Sequence, residues 1–382
     1  MVASFDVVVL GVGSMGAATC YQLAQRGVRV LGLEQGSLPN PHASFAGATR
    51  AIRLSYAEHP DYVPLLRGAY DRWEILGAEC GRQLLQLTGA LYLGPADGDL
   101  VSGSHRSAEE YGLAHTLHDH ADLQKNWPQF RLPENFVGLH EDKAGYLLSE
   151  QAVAAYIEGA LRSGADLRGH QTVTSWSADQ SGVVVQTENE KFHAAQLVIT
   201  AGAWTGKLLT ELGVRLKVTR QVLGWVWPSA PNDFTADKFP VWVIDGNQGS
   251  GVHYGFPITP DGSGGVGLKL ALHWPATEVD PDTVERDALP GDEDEIQDAL
   301  RRFIPSADGP LLSQSVCLYT NSPDGHFIVD HHPEHSRVSI ACGFSGHGFK
   351  FASIMGEVLA DLATEGKTDW PIGFLGLSRF EN

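Results

Sequence analysis

A handful of side chains in this sequence combine reactive chemistry with unusual settings. The stretch "SVCLYTNSPDGHFIVD", residues 315 to 330, sets Cys317 alone on a β-branched and aromatic run, followed by a turn and a second apolar strand. On composition alone that thiol is a small buried hydrophobe, unless something else claims it. Lys269 in "GGVGLKLALH" sits between Leu268 and Leu270 on a strand pattern, so it points to the face opposite both leucines, and His273 shares its side. That face is either solvent or an active-site cavity. Arg50 and Arg53 in "GATRAIRLSY" are three apart, a spacing that on a helical turn sends both guanidinium groups the same way. A solvated helix face would carry the same pair, but planar forks of donors beside Thr49, Ala51, Ile52 and Leu54 also suit a carboxylate. Lys350 in "GHGFKFAS" adds a second positive group among glycines and aromatics. These cations together predict a carboxylate-bearing substrate. "FIVDHHPEHS" gathers His331, His332 and His335 near Asp330, yet the residues straddle a proline turn and are flanked by charge, so the stretch reads as a solvated loop and no metal is assigned. The sequence contains no GxSxG elbow, no HExxH helix and no GxxxxGK[ST] phosphate loop.

Positioning these side chains requires a scaffold, and its first part is explicit. "FDVVVLGVGSMGAATCYQLAQRGVRVLGLEQ" reads as an apolar strand, a glycine turn, a helix ending at Gly27 and a second strand ending in Glu34. In such a βαβ unit Gly11 permits the tight turn, Gly13 lets backbone approach a pyrophosphate and Gly16 lets helix pack on strand, while Glu34 can reach a ribose. The helix N-terminus faces the diphosphate. FAD and NAD are not distinguished by this unit. The Pro/Ser/Gly loop "GSLPNPHASFAG" then interrupts the sheet, and "DYVPLLRGAYDRWEILGAECG" is a long amphipathic stretch. Residues 183 to 204 predict two strands about a turn, closing on an elbow of Ala201, Gly202 and Ala203 where backbone can approach a ligand. "RVSIACGFSGHGFKFASIMGEVLADLATEG" repeats the strand, glycine turn, helix logic, with a helix from about Lys350 to Glu365. Two glycine-rich elements at opposite ends of the chain suit one ligand clamped from both ends; the plainer reading is two unrelated turns. Segments 85–145 and 215–310 carry alternating patterns, as in "VHYGFPI" and "VGLKLALH", and predict an antiparallel sheet inserted twice into the nucleotide-binding part. "EDEIQDALRRFIP" is an acid-started helix stopped before Pro305.

The formal charge is −19 across 382 residues, with 43% hydrophobic residues, which describes a globular chain large enough for two domains. An acidic chain without a Lys/Arg cluster repels a phosphate backbone, so nucleic acid is excluded as the expected partner. A strand starting near Phe5 leaves no room for a leader peptide, and no apolar run approaches a membrane span, so the expected location is cytoplasmic. Cys20, Cys80, Cys317 and Cys342 form no CxxC pair and predict reduced thiols rather than a disulfide framework or zinc site.

Taken in order, "GVGSMG" with Glu34, "GATRAIR", "VITAGAW", "YGFP", "GLKLALH", "CLYTNSPDGHFIVDHHPEHS" and "GFSGHGFKFA" resemble the monomeric sarcosine oxidase and N-methyltryptophan oxidase family, flavin amine oxidases of the D-amino-acid oxidase-like group, across essentially the whole chain. The resemblance implies an α/β two-domain fold: a Rossmann-like FAD-binding domain (1–84, 146–214 and 311–382) with an inserted antiparallel-sheet substrate domain (85–145 and 215–310). It implies FAD joined through its 8α-methyl to Cys317. It assigns Lys269 to dioxygen activation through a water at flavin N5, Arg53 and Lys350 to the substrate carboxylate, and Thr49 and Arg50 to the flavin ring. Tyr254, His273, Phe256 and Val243 then line the substrate pocket, with Lys269, Arg50, His273 and Tyr254 as the catalytic set, and Tyr319 and His347 flank the flavin. The cofactor set extends to Ser14, Met15, Gln35, Val173, Trp204, Gly346 and Gly348, beside Gly11, Gly13, Gly16, Glu34, Ala201 and Gly202. The implied reaction is hydride transfer from the carbon next to an amine nitrogen to flavin N5, hydrolysis of the imine and reduction of O2 to H2O2 by a monomer acting on a small carboxylate-bearing amine. Alternatives are a dehydrogenase of the same fold that passes electrons to a carrier, and an oxidase of cyclic imino acids. Two departures stand out: Ala46 replaces a family histidine next to the flavin, and the segment 242–267 is longer than the family pattern.

Overall fold

The computed structural model describes residues 4–246 and 251–381, so part of the long segment 242–267 lies outside the described residues. The apolar run "VVVL" forms the strand Ser4–Leu10, buried because it has parallel partners on both sides, Val30–Leu33 and Lys191–Ile199. Such strands read as continuous hydrophobic runs since helices or layers cover both faces. The sheet runs in the order Val173–Asp179, Gly182–Thr187, Lys191–Ile199, Ser4–Leu10, Val30–Leu33, Asp166–Arg168, and the hairpin Ile328–His332 with His335–Cys342 joins it alongside Lys191–Ile199. The helices Ser14–Gln25, Ser149–Arg162, Tyr62–Cys80 and Ala352–Glu365 pack together on this sheet. Their approach depends on small residues: a Cβ on Gly356 would stand 2.7 Å from Ala18.

The second sheet runs Thr277–Glu278, Lys217–Val226, Leu268–Trp274, Val252–Phe256, Val241–Asp245, Ala90–Pro95, Phe136–Glu141, Thr116–His118. It is antiparallel except where Val241–Asp245 runs parallel to Ala90–Pro95. The helix Asp292–Phe303 covers one face, with Ile296 seated on Gly224, where a Cβ would come within 2.4 Å. A small sheet of Thr49–Ile52, Gly145–Leu148 and Leu85–Leu87 completes the molecule. The architecture is thus a mixed α/β fold of two parts, a Rossmann-like parallel sheet and a mostly antiparallel sheet. Among the described residues no helix is long and apolar enough to cross a membrane.

Several expectations change in detail. Arg50 lies in the strand Thr49–Ile52 and Arg53 just beyond it, so three-residue spacing sends them to different sides rather than the same one. The last helix begins at Ala352, preceded by a 3-10 turn over Phe349–Phe351 that includes Lys350. The histidine-rich stretch is a paired hairpin, not a solvated loop: His332 is only 2% exposed and packs with His335 against Trp176. Strand Leu311–Asn321 pairs along its length with Lys217–Val226, so it belongs to the second sheet although the sequence division groups it with the nucleotide-binding part.

Candidate active site

A cleft of about 440 Å³ runs between the two parts, lined from both chain ends. Gly11, Gly13, Ser14 and Met15 of the first turn meet Glu34 and Gln35, then Val173, Ala201, Gly202 and Trp204; Arg50, Tyr319, Gly346 and Gly348 close the far end. The first turn follows the division of labour predicted for its glycines. Gly11 has φ of +89°, and a Cβ there would meet the Thr200 carbonyl at 2.6 Å. A Cβ on Gly16 would fall 1.9 Å from the Gly11 oxygen, so only glycine lets this helix sit on its strand. A Cβ on Gly13 would point into open space, which is the room a ligand approaching the backbone would take. Glu34, at the end of the second strand, accepts hydrogen bonds from the Val12 and Gly36 amides at 3.0 Å and from Asn40 Nδ2 at 2.9 Å. A carboxylate has lone pairs for further donors, so this bracing leaves it able to accept from a ligand. Gly16, Thr49, Cys317, His347 and Lys350 lie outside the cleft wall, behind or beside it.

One face of the second sheet carries most of the remaining candidates. Alternation along a strand and direct opposition across antiparallel pairs put Val243, Tyr254, Phe256, Lys269, Ala271, His273, Cys317 and Tyr319 on the same face. Lys269 therefore faces inward, not solvent: it is 1% exposed, and its Nζ donates to the carbonyls of Gly47 at 2.6 Å and Thr49 at 2.7 Å and to Thr49 Oγ1 at 3.1 Å. Burial and the charge of Arg50 push its pKa well below that of an ordinary lysine, opposed by Glu150 and Cys317. Three acceptors nonetheless match the three protons of an ammonium. Cys317 is buried among Leu223, Trp225, Ala271 and Tyr319. Burial raises its thiol pKa, while Arg50, Lys269 and Arg286 pull it the other way. The Tyr319 hydroxyl joins Tyr254 at 3.4 Å and His273 Nδ1 at 3.3 Å, and burial holds His273 down to about 4, so its ring is neutral near pH 7.

Arg50 and Arg53 have different surroundings. Arg50 donates to the carbonyls of Ser44, Ala46 and Thr49, which fixes its guanidinium at the cleft wall. Arg53 is buried and forms a bidentate pair with Glu58, its Nη2 at 2.6 and 2.8 Å from the two carboxylate oxygens. Burial opposes the Arg53 charge, yet Glu58 overrides it and the pKa rises. Burial likewise opposes ionisation of Glu58, but Arg53, His347 and Lys350 hold its carboxyl well below the usual range. Lys350 Nζ donates to the His347 carbonyl at 2.7 Å, and its charge acts on Glu58 beside that of Arg53. His347 is pushed down to about 3, chiefly by burial; its Nε2 contacts the Gly325 carbonyl at 3.0 Å and its Nδ1 the Tyr56 hydroxyl at 2.5 Å, a pattern satisfied by a neutral ring protonated on Nε2.

Four carboxylates and amides that hold these groups escaped the sequence reading. Glu58 occupies the fork of Arg53. Glu150 accepts the amides of Gly47 at 2.7 Å and Ala48 at 2.9 Å, which shapes the turn whose carbonyls hold Lys269. Glu141, 1% exposed, accepts the amides of Leu54 and Ser55 and the hydroxyl of Tyr92, which anchors the segment after Arg53. Asn40 braces Glu34. Glu58, five residues after Arg53, was the one with a local signal.

A model of the FAD dependent oxidoreductase family named DAO matches residues 6–362. The chain is 38% identical over 377 residues to a protein named monomeric sarcosine oxidase from Streptomyces avermitilis, covering 98% of this chain and 97% of that protein. It is 34% identical over 379 residues to N-methyl-L-tryptophan oxidase of Yersinia pestis, covering 98% and 99%. Among solved structures, the open form of NikD, described as an unusual amino acid oxidase essential for nikkomycin biosynthesis, superimposes with a TM-score of 0.85 at 27% identity, covering 98% of this chain and 97% of that one. The residues present fit FAD: a glycine turn open at Gly13, an acid ending the second strand, and a cleft lined by the turns of both chain ends. These features, with the matched family and relatives, make the chain an FAD-dependent amine oxidoreductase that belongs to the DAO family and, within it, to the sarcosine oxidase group.

Proposed function

We propose that the chain is an oxidase of small amino acids bearing a secondary, typically N-methylated, amine. The observation that carries this reading is the juxtaposition of Arg53 and Lys350, two buried cations, with the neutral His273, Tyr254 and Tyr319 on the sheet face that also bears Cys317 and Lys269. FAD, when bound, would supply a two-electron acceptor for a hydride equivalent from the carbon next to the amine nitrogen; O2 would then take the two electrons with two protons as H2O2, while water separately hydrolyses the imine product. Arg53 and Lys350 bind the substrate carboxylate, displacing or sharing the place that Glu58 holds. Tyr254, Phe256 and Val243 form a wall that keeps water from the reacting carbon. Thr49 and Arg50 border the ring-binding end, with Gly346, Gly348, His347 and Tyr319 across from them. Lys269 places a cation where negative charge develops on oxygen; holding a water requires it to release one of its three protein acceptors. Cys317 is the attachment point, a thioether to the flavin 8α carbon; burial holds its thiol above the ordinary value, and Arg50, Lys269 and Arg286 offset part of that effect.

The same reading divides the chain into an FAD part (1–84, 146–214 and 311–382) and a substrate part (85–145 and 215–310), with the strand Leu311–Asn321 of the former paired into the sheet of the latter. It describes a monomer working in the cytoplasm; the relatives' names support the first, and four free cysteines fit a reducing compartment. The test uses purified full-length protein and a panel of N-methyl and cyclic amino acids. Sarcosine-type substrates are expected to bleach the yellow protein anaerobically and to release peroxide in air, and the colour is expected to stay with acid-precipitated protein but leave it in Cys317→Ser. Reduction by the panel without peroxide release would make the protein a dehydrogenase, and colour retained by Cys317→Ser would overturn the attachment site.

A further inference from the structure

We propose that His105, Glu109 and His115 form a binding site for one divalent transition-metal ion of zinc-like chemistry. His105 and Glu109 lie one turn apart on the helix Asp99–Glu110, and His115 reaches them from the segment that leads into strand Thr116–His118. Their ligand atoms all lie within 4.8 Å of one another. Glu109 Oε1 is 3.4 Å from His115 Nε2 and 3.8 Å from His105 Nε2. Around a tetrahedral ion with bonds of about 2.0–2.1 Å, neighbouring ligand atoms stand roughly 3.3–3.4 Å apart, so the first pair already spans the edge of a coordination tetrahedron and the second needs a small side-chain adjustment.

A second observation points to the same ligand. His115 Nδ1 lies 2.9 Å from the Leu113 carbonyl. A carbonyl only accepts, so Nδ1 carries a proton, and in the neutral ring Nε2 then presents its lone pair toward Glu109 and His105. Metal-bound histidines are oriented in this way, one ring nitrogen donating to a carbonyl while the other coordinates. The His105 and His115 rings face each other edge-on with centroids 5.2 Å apart. His115 is 13% exposed, whereas Glu109 is 67% exposed, so the cluster is anchored at one side and open to solvent at the other, where a water can complete the coordination. A net charge of −19 draws cations to the surface.

The ion would act as a staple, not as a participant in oxidation. The helix that bears His105 and Glu109 presses on the segment following Arg53: Ser107 Oγ donates to the Tyr56 carbonyl at 2.6 Å, and a Cβ on Gly103 would meet the Ala57 carbonyl at 2.5 Å. Metal held on the opposite face of the same turns ties the helix to the chain at His115.

The experiment takes full-length, flavin-loaded protein with any affinity tag removed, strips it with a chelator, and titrates Zn2+ against a chromophoric competitor and Co2+ by visible absorption. One ion per chain is expected, with a tetrahedral cobalt spectrum and a Tm that rises with Zn2+. His115→Ala and Glu109→Gln should each weaken binding by at least about tenfold and remove the Tm response. Both variants should keep the wild-type flavin spectrum, which shows that they fold. Absence of stoichiometric Zn2+ binding to the wild type, or undiminished binding in the His105→Ala/His115→Ala double variant, overturns the site.

Discussion

Burial pushes the Lys350 ammonium down to about 7, with the charge of Arg53 adding to the effect and Glu58 opposing it. In the proposed carboxylate-binding role the group is charged below that pH and acts with Arg53; above it the proton is lost and only Arg53 remains. Affinity for a simple carboxylate such as acetate, read from the perturbed flavin absorption, should therefore fall as pH rises from 6 to 9, by at most about tenfold per pH unit. Bound carboxylate favours the ammonium, so the fall begins near the free-enzyme value and levels off at the higher value of the complex. Lys350→Met should bind weakly at pH 6 and show no such slope; an unchanged slope would assign the titration to another group. The cations were legible because lysine or arginine inside apolar stretches is conspicuous, and Lys269 flanked by two leucines is the clearest case. The carboxylates around them were harder to read: Glu58 lies only five residues after Arg53, but Glu141 and Glu150 look like ordinary surface acids until folding brings the amides of Leu54 and Gly47 to them. The shared side predicted for Arg50 and Arg53 failed for a related reason: neighbouring strands, not local spacing, made that segment extended.

At the level of elements, the packing of the first and last helices turns on Gly356, whose absent Cβ leaves room for the backbone and side chain of Ala18. Gly356→Ala places an atom 2.7 Å from both, in a fully buried seam, and should cost about 1–3 kcal/mol, seen as a lower urea midpoint. Gly373→Ala meets nothing within 4 Å and serves as the matched control. Equal midpoints for the two variants would mean the helices part without cost. Periodicity and glycine turns made most elements readable: the βαβ unit, the strands around 183–204, the helix Asp292–Phe303 and the strand bearing Lys269 all stand where their patterns put them. "FIVDHHPEHS" misled because charge and proline describe the tip of a hairpin as well as a loop, and Trp176, distant in sequence, supplies the cover for His332.

The two sheets are also joined across the mouth of the cleft. Trp204 Nε1 donates to Asp282 Oδ1 at 2.6 Å, and Lys207 pairs with Asp280 at 2.7 Å and with Asp282, so a segment following strand Lys191–Ile199 is tied to the loop after Thr277–Glu278. Lys207 and Asp282 both line the cleft. Exposed pairs of this kind contribute little to stability and lose strength in salt. Their effect belongs to the exit of a bound dinucleotide: in a Cys317→Ser background, Asp282→Asn should speed flavin release several-fold, measured by the rise of free-flavin fluorescence, and an equal rate would show that the tie does not gate the cleft. No local pattern predicts such a tie, since Trp204 and Asp282 lie in segments that follow strands of different sheets. Nor does any local pattern reveal that Leu311–Asn321 pairs with Lys217–Val226.

Because the cleft takes its walls from Gly11 and Gly13 and from Gly346 and Gly348, which lie far apart in the sequence, a ribosome making this protein exposes one part of the cradle long before the other exists. Cofactor capture is therefore expected to wait until Gly346 and Gly348 have been made, and a product truncated before them would lack that part of the wall around its prosthetic group.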